Sequence, residues 1–381
     1  MAIYLSFKEV WRNRGRFLLF SLVIALITTL VLFIAALAGG LASANREYLA
    51  KLNADLLVYQ ANSDFLIAAS RIPRSKAADL RRQPGVAAVG PLGFSTATIV
   101  MPGRDPLDVS LIGVEPGEPG EPPVLRGRQL RGSRSREAVI DARVTQALGV
   151  RPGDRLILKA TQGTEEQFFE VSVAGQTDRQ QYQFLPSVFV PFQTWDRIRP
   201  QSSIPNGSAE LIPNILAVRL VDPAQVETIQ AQIESEVSDV MLADKQKAIE
   251  SIPGYSVQQS TLNTQQAFTL LIGILVLGGF FQIQTMQKIG QIGMLKAIGA
   301  ANRTVAAASM WQIVAVTTLG VLLGTVGTFL ISLSLPAQVP IRFDGPSIVG
   351  SLLLLLLIGP LGGLVSIRLA VRVDPLTAIG Q

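Results

Sequence analysis

The sequence predicts a membrane protein with four transmembrane α-helices and a large α+β extracytoplasmic domain between helices one and two. Three observations carry that prediction. Hydrophobic residues make up 48% of the chain and charged residues 16%, a balance more apolar than soluble domains usually show. Four apolar runs lack Asp, Glu, Lys and Arg over lengths that cross a hydrocarbon core of about 30 Å. Between the first and second runs the chain changes character, to prolines, glycines, charged residues and apolar runs of only a few residues.

In order, residues 1–16 place Ile3, Phe7, Val10 and Trp11 on one helical face and Glu9, Arg12, Asn13 and Arg16 on the other, the pattern of an amphipathic elbow lying on the membrane surface. Residues 17–40 form the first span, an apolar stretch longer than the core of a signal peptide, about 7–15 residues. Residues 41–266 form the outer domain, with room for two lobes. Within it AAVGPLGFSTATIVM, DRLILKA and QFFEVSVAG have strand character, and SKAADLRRQ, AVIDARVTQALG and AQVETIQAQIESEV have helix character. Turn chemistry separates them at Pro84-Gly85, Pro102-Gly103, Arg151 to Asp154 and Pro205 to Gly207. The segment EPGEPGEPP, Glu115 to Pro123, cannot hold a helix and is expected as a stiff exposed loop. Residues 267–286, 304–335 and 347–367 are the remaining spans, joined by segments 287–303 and 336–346 and followed by a tail, 368–381. In the third span Gly320 and Gly324 make a G-x-x-x-G, a spacing that lets two helices approach closely.

Charge orients these spans. Lys8, Arg12, Arg14 and Arg16 precede the first, Lys288, Lys296 and Arg303 lie between the second and third, and Arg368 and Arg372 follow the fourth. The loop between spans three and four has only Arg342. By the positive-inside rule both termini and segment 287–303 are cytoplasmic and the large domain is outside. The net charge of +5 is explained by this orientation; no Lys/Arg block of nucleic-acid type occurs.

Composition also excludes chemistry. The chain has no Cys and no His, which removes disulfides, thiol catalysis, the Ser-His-Asp triad and the common zinc sites. No catalytic or metal-ligating set is expected. No lysine follows a glycine, so the phosphate-cradling G-x-x-x-x-G-K-[ST] loop is absent and ATP hydrolysis belongs to another chain.

Segment 287–303 is short, basic and glycine-punctuated. Ile289, Ile292, Leu295 and Ile298 recur every three residues, roughly one helical face, while Lys288, Lys296 and Arg303 supply charge without an acid. That pattern predicts a docking helix on the inner side of the membrane. The glycines at 290, 293 and 299 permit close backbone approach or a break in the helix.

The whole chain resembles the MacB-type, FtsX-like permease subunits of ABC transporters. The resemblance is carried by QKIGQIGMLKAIGA after the second span, by VLRGRQL followed by EAVIDARVTQALGVRPGDRLIL and FEVSVAG in the outer domain, and by the ending RVDPLTAIG. LSFKEVWRNRGRFLLF, NADLLVYQANSDF and IQTMQKIGQIGMLKAIGA are most similar to the haem-exporter, Hrt-type, permeases. The resemblance implies a permease homodimer in the bacterial plasma membrane with two copies of a separate ABC ATPase, which holds ATP and Mg, and it leaves open a periplasmic adaptor. It implies that Lys288, Ile289, Gly290, Ile292, Gly293, Met294, Leu295, Lys296, Ala297, Ile298 and Gly299 sit in a groove of the ATPase. The apolar face would supply contact area and Lys288 and Lys296 the register. No cofactor is expected in this chain; the cargo is hydrophobic or amphiphilic, haem or lipid-like, drawn from the membrane or the outer space. With no histidine, haem would need another ligand set, and Arg46, Glu47 and Tyr48 at the outer end of the first span are the candidates. Two other classes stand beside export: a permease that moves nothing and transmits ATPase motion to an external partner such as a cell-wall hydrolase, and a membrane-anchored enzyme.

Overall fold

The computed structural model describes residues 14–200, 211–335, 339, 341–343 and 345–371. The elbow up to residue 13, the Pro205 to Gly207 turn and the tail after residue 371 lie outside the described residues. The chain divides into two compact units, Ala42–Val257 and a second made of the residues up to Leu41 and from Gln258. Helix α1, Arg14–Lys51, carries the first span and continues unbroken to Lys51.

In the outer unit β1 (Leu56–Gln60) leads through α2 (Arg74–Arg81) to β2 (Val86–Val100), the longest strand at 15 residues. There follow β3 (Leu107–Val114), β4 (Val124–Gly127), β5 (Glu137–Asp141), α3 (Ala142–Leu148), β6 (Arg155–Gln162), β7 (Glu165–Thr177), β8 (Ser187–Pro191) and α4 (Phe192–Ile198). The unit ends with β9 (Ile215–Leu220), α5 (Val226–Glu236), β10 (Val240–Asp244) and α6 (Lys245–Glu250).

The two halves of β2 belong to two lobes. Its first half pairs antiparallel with β9, and the layer continues through β1 to β10. Its second half pairs with β3, and from there the ladders run through β8, β5, β7 and β6 and return to the end of β2. That ring of strands is a closed barrel, so no edge is left open along it. β1 reads as one apolar run because both its faces are covered. Leu56 and Val58 pack with Leu80 of α2 and Ile229 and Ile233 of α5, while Leu57 and Tyr59 pack with Ile249 of α6. β6 alternates instead, with Leu156, Leu158 and Ala160 in the barrel core and Arg155 and Ile157 exposed.

Two expectations are corrected here. The helix expected across AVIDARVTQALG begins only at Ala142; Ala138 to Asp141 are the buried strand β5, and Asp141 caps the helix by accepting the Arg143 N–H at 2.7 Å. An apolar run of this length does not distinguish a buried strand from a helix by periodicity. The EPGEPGEPP loop is exposed only in part, since Pro119, Gly120 and Pro122 are buried while Gly117 and Pro123 are exposed. Gly90 on β2 makes this possible, because a Cβ there would lie 1.9 Å from the Pro119 carbonyl oxygen. Glu121 ties the loop down, accepting from the N–H groups of Gly117 at 2.8 Å and Leu130 at 3.1 Å.

The membrane unit holds the first part of α1 with α7 (Tyr255–Met286), α8 (Ile289–Ala297), α9 (Asn302–Ser334) and α10 (Gly345–Val371). α1, α7, α9 and α10 are each long and apolar enough to cross a bilayer. α7 starts before the apolar run, at Tyr255, because residues 255–266 are polar but contain neither Pro nor Gly to stop a helix. Glycines bring the spans together. A Cβ on Gly320 would lie 2.5 Å from Ile24 Cβ, and one on Gly324 would lie 2.5 Å from the Ala25 carbonyl oxygen, so the G-x-x-x-G of α9 is the seat of α1. Thr29 Oγ1 donates to the Gly324 carbonyl across this seam at 3.1 Å. Gly359 and Gly363 of α10 form a second such seam against Thr317 and Ile313 of α9.

Candidate functional site

α8 sits on the connection between two spans and is delimited by its own chemistry. It ends at a Schellman turn: Gly299, at φ 101°, donates to the Lys296 carbonyl at 2.9 Å, and Ala300 donates to Leu295 at 3.0 Å. Only this glycine breaks the helix; Gly290 and Gly293 lie inside it.

The stripe at three-residue spacing is not one face. Each step of three falls about 60° short of a full turn, so the row winds around the helix. Ile292 is buried against Val305, whereas Leu295 is 45% exposed and Ile298 81% exposed. Met294, 59% exposed, joins Leu295 and Ile298 to form the outward face, with Gln291 and Ala297 exposed beside them. Gly293 is buried and Ile289 half-buried.

The lysines do not belong to that outward face. Lys296 Nζ donates to the Val371 carbonyl at 2.5 Å, capping the C-terminal end of α10 where a cation is favoured. Lys288 Nζ donates to Gln312 Oε1 at 3.4 Å and lies 5.4 Å from the Phe17 ring centroid. Their apolar stems follow the bundle and their charges are used within it. Their hydrogen bonds run to the bundle, which leaves Met294, Leu295 and Ile298, with Gln291 beside them, on the outward face.

The second stretch, Arg46 to Tyr48, is the reverse case. Tyr48 is 1% exposed, packs on Phe189 and Phe94 with ring centroids 5.2 and 6.0 Å away, and donates its hydroxyl to the Gly120 carbonyl at 2.9 Å. Burial pushes its phenol well above the ordinary range. Glu47 is 5% exposed and meets Lys51 Nζ at 3.1 Å. Lys51 also donates to Asp178 Oδ2 at 2.9 Å and to the Arg179 carbonyl at 2.7 Å. The guanidinium of Arg46 stacks over the Tyr255 ring at 5.6 Å. An iron-ligand role for Tyr48 or Glu47 is thus corrected: both are in the core, fastening the end of α1 into the outer unit. The Pro-rich loop is part of this fastening, since Gly120 is Tyr48's acceptor.

Sequence reasoning missed the groups around it. Asp141, fully buried, accepts the N–H of Gln180 at 2.8 Å as well as that of Arg143. Burial raises its carboxyl above the usual range and the Glu47 charge adds to this, against the lowering effect of the two N–H donors. No local pattern marks Asp141 except its N-cap position before ARVTQAL. Among the described residues no group of His, Cys, Asp and Glu is arranged to hold a metal ion.

Comparison with known proteins fits this layout. Residues 17–236 match the MacB-like periplasmic core domain, and residues 266–375 match the FtsX-like permease C-terminal region. A protein of Staphylococcus haemolyticus described as a hemin transport system permease, HrtB, is 23% identical over 379 residues, covering 99% of both chains. One of Staphylococcus epidermidis with the same description is 24% identical over 376 residues, again covering 99% of both. Among solved structures, the periplasmic region of MacB from Actinobacillus actinomycetemcomitans is 14% identical at a TM-score of 0.37, covering 54% of this chain and 96% of that one. The extracellular domain of the ABC-type transporter YknZ from Gram-positive bacteria is 15% identical at a TM-score of 0.35, covering 50% and 100%. The chain belongs to the MacB-like periplasmic core domain family, and with its FtsX-like C-terminal region it is a multi-pass permease subunit of the ABC transporter type, a transporter component and not an enzyme.

Proposed function

We propose that this chain is the membrane subunit of an ATP-driven exporter, coupling hydrolysis on a separate ATPase to removal of a hydrophobic or amphiphilic cargo, haem or lipid-like, from the membrane or the outer space. The observation that carries the reading is the uncovered apolar face of α8, Met294, Leu295 and Ile298, on a connection between two spans. In water such a face needs a partner. Apolar anchors of this kind supply contact energy when seated in a groove, and the permease family implies an ABC ATPase to provide one. In this reading two ATPase copies, holding ATP and Mg, act on a permease dimer in the bacterial plasma membrane with both termini cytoplasmic.

α8 is joined to α7 and α9 by short turns, so a force on it enters two spans at once. α1 is one helix from Arg14 to Lys51, and its last turns are locked into the outer unit by Tyr48, Glu47 and Lys51. Haem as the cargo is supported by the description of the relatives; lacking histidine, the chain would hold it by apolar contact and by pairing of its carboxylates.

The test is co-purification of the ATPase with a chain carrying Leu295→Asp and Ile298→Asp. The pair should abolish capture while membrane insertion is unchanged; normal capture would remove the docking assignment. In liposomes, cargo-stimulated ATP hydrolysis with cargo removal is the expected result. Activation of an external hydrolase without any transport would instead establish the transmitting role.

A further inference from the structure

A cleft of about 320 Å³ opens in the outer unit, and Phe94, which packs on Tyr48, is part of its lining. Its walls come from six parts of the chain: the turn before α2, β2, β3, the loop before β8, α4 with the residues that follow it, and Asn214 before β9. Two of the side chains that line it are arginines, Arg71 and Arg199.

The cleft is built rather than incidental. Gly93 and Gly113 are cross-strand partners on β2 and β3, and a Cβ on either would lie 2.5 Å from the Trp195 ring, so these glycines make the seat for that indole. Trp195 Nε1 donates to Ser95 Oγ at 3.0 Å. Asn214, 3% exposed, fixes the opposite wall: its Nδ2 donates to the Ile67 carbonyl at 3.0 Å and its Oδ1 accepts the Phe94 N–H at 2.8 Å. Phe94, Tyr182 and Trp195 give the cleft an aromatic lining.

Its charge is unbalanced. Arg199 donates to Asp196 at 2.8 Å and lies 5.3 Å above the Trp195 ring. Arg71 donates to the carbonyls of Ala68 and Ser70, and among the described residues no carboxylate pairs with it. Arg199 is near enough for its charge, after burial, to lower the Arg71 pKa. Two guanidinium groups facing one space repel unless an anion lies between them, and each keeps N–H donors for planar recognition of a carboxylate or phosphate.

We propose that this cleft binds the carboxylate or phosphate head of an anionic amphiphile, with Arg71 and Arg199 on the head and the aromatic lining against its apolar part. The proposal deepens the export reading by naming a class of ligand, yet it stands on a site distant in sequence from α8. Loss of binding here would leave the ATPase capture test untouched, and the reverse also holds.

The test uses the full chain in an uncharged detergent, titrated with octyl phosphate, octanoate, octanol and inorganic phosphate and followed by calorimetry. Octyl phosphate and octanoate should bind, and octanol and inorganic phosphate should each bind at least about tenfold more weakly. Arg71→Gln with Arg199→Gln should weaken octyl phosphate at least about tenfold, and the corresponding Lys pair should fall between it and the unaltered chain. A thermal midpoint unchanged by the Gln pair separates a lost site from a lost fold. Octanol binding as tightly as octyl phosphate would overturn the anion assignment in the unaltered chain alone. Inorganic phosphate binding as tightly would overturn the amphiphile assignment, and an unaffected Gln pair would overturn the site.

Discussion

Two stretches carry the features that mark function in a sequence, and the structure treats them oppositely. At Met294 to Ile298 apolar side chains stand in the open with nothing over them. At Arg46 to Tyr48 polar and charged side chains are stacked or buried with their partners in place. Apolar groups left uncovered represent interaction energy not yet used inside the chain, whereas buried polar groups already paired have none to offer a ligand without breaking a bond. The first stretch is an uncovered apolar surface and the second is a joint.

Removing the joint is the strongest way to test this contrast. Tyr48→Ala deletes a fully buried ring between Phe94 and Phe189 and should destabilise the outer unit by about 3–5 kcal/mol. Tyr48→Phe keeps the ring and leaves the Gly120 carbonyl without its donor, for about 1–2 kcal/mol. Denaturant unfolding of the full chain followed through the outer unit checks both. If Tyr48→Phe cost as much as Tyr48→Ala, packing would not be what holds the joint.

A smaller effect is expected at Lys51, which links Glu47, Asp178 and the Arg179 carbonyl. Lys51→Met leaves the buried Glu47 charge without this partner and should cost about 1–3 kcal/mol at neutral pH, discounted because a third of the lysine side chain meets solvent. The pH dependence has a definite sign. The Lys51 hydrogen bond, helped by the Arg179 N–H, holds the Asp178 carboxyl below its ordinary value of 3.8. Its contribution is present above that value and is lost as pH falls through the lower folded-state pKa. Acid unfolding should therefore show a shallower loss in Lys51→Met than in the unaltered chain, and equal slopes would remove Asp178 from the joint.

How much of this was legible depends on whether the signal was local. The four spans were, because an uncharged run of bilayer length has few other physical solutions, and so was the α+β character of residues 41–266. The G-x-x-x-G at Gly320 was visible as a spacing, while its partner, Ile24 with Ala25, was not. The barrel was invisible, since closure depends on β6 returning to β2 across a long separation. EPGEPGEPP misled because its composition reports stiffness and polarity but not that Gly90 leaves room beneath it. Tyr48 was legible only as a polar residue at the end of a span, because its acceptor is 72 positions away. On α8 the residues were legible and the face was not, since a three-residue repeat drifts half a turn between Ile289 and Ile298.

That drift gives the test with the smallest effect on stability and the sharpest bearing on the contrast. Ile292 inside α8 and Ile298 at its C-cap are the same residue type, buried against Val305 and 81% exposed respectively. Ile298→Ser removes apolar surface that the chain itself does not use, so the thermal midpoint in detergent should barely move, within about 0.5 kcal/mol. Ile292→Ser opens the contact with Val305 and should lower that midpoint clearly. Capture of the ATPase should respond in the opposite order per unit of stability lost, with Ile298→Ser reducing it at an unchanged fold. Equal capture by Ile298→Ser and the unaltered chain would mean that the open face is covered by bilayer, not by a partner, and the two stretches would then differ in exposure alone.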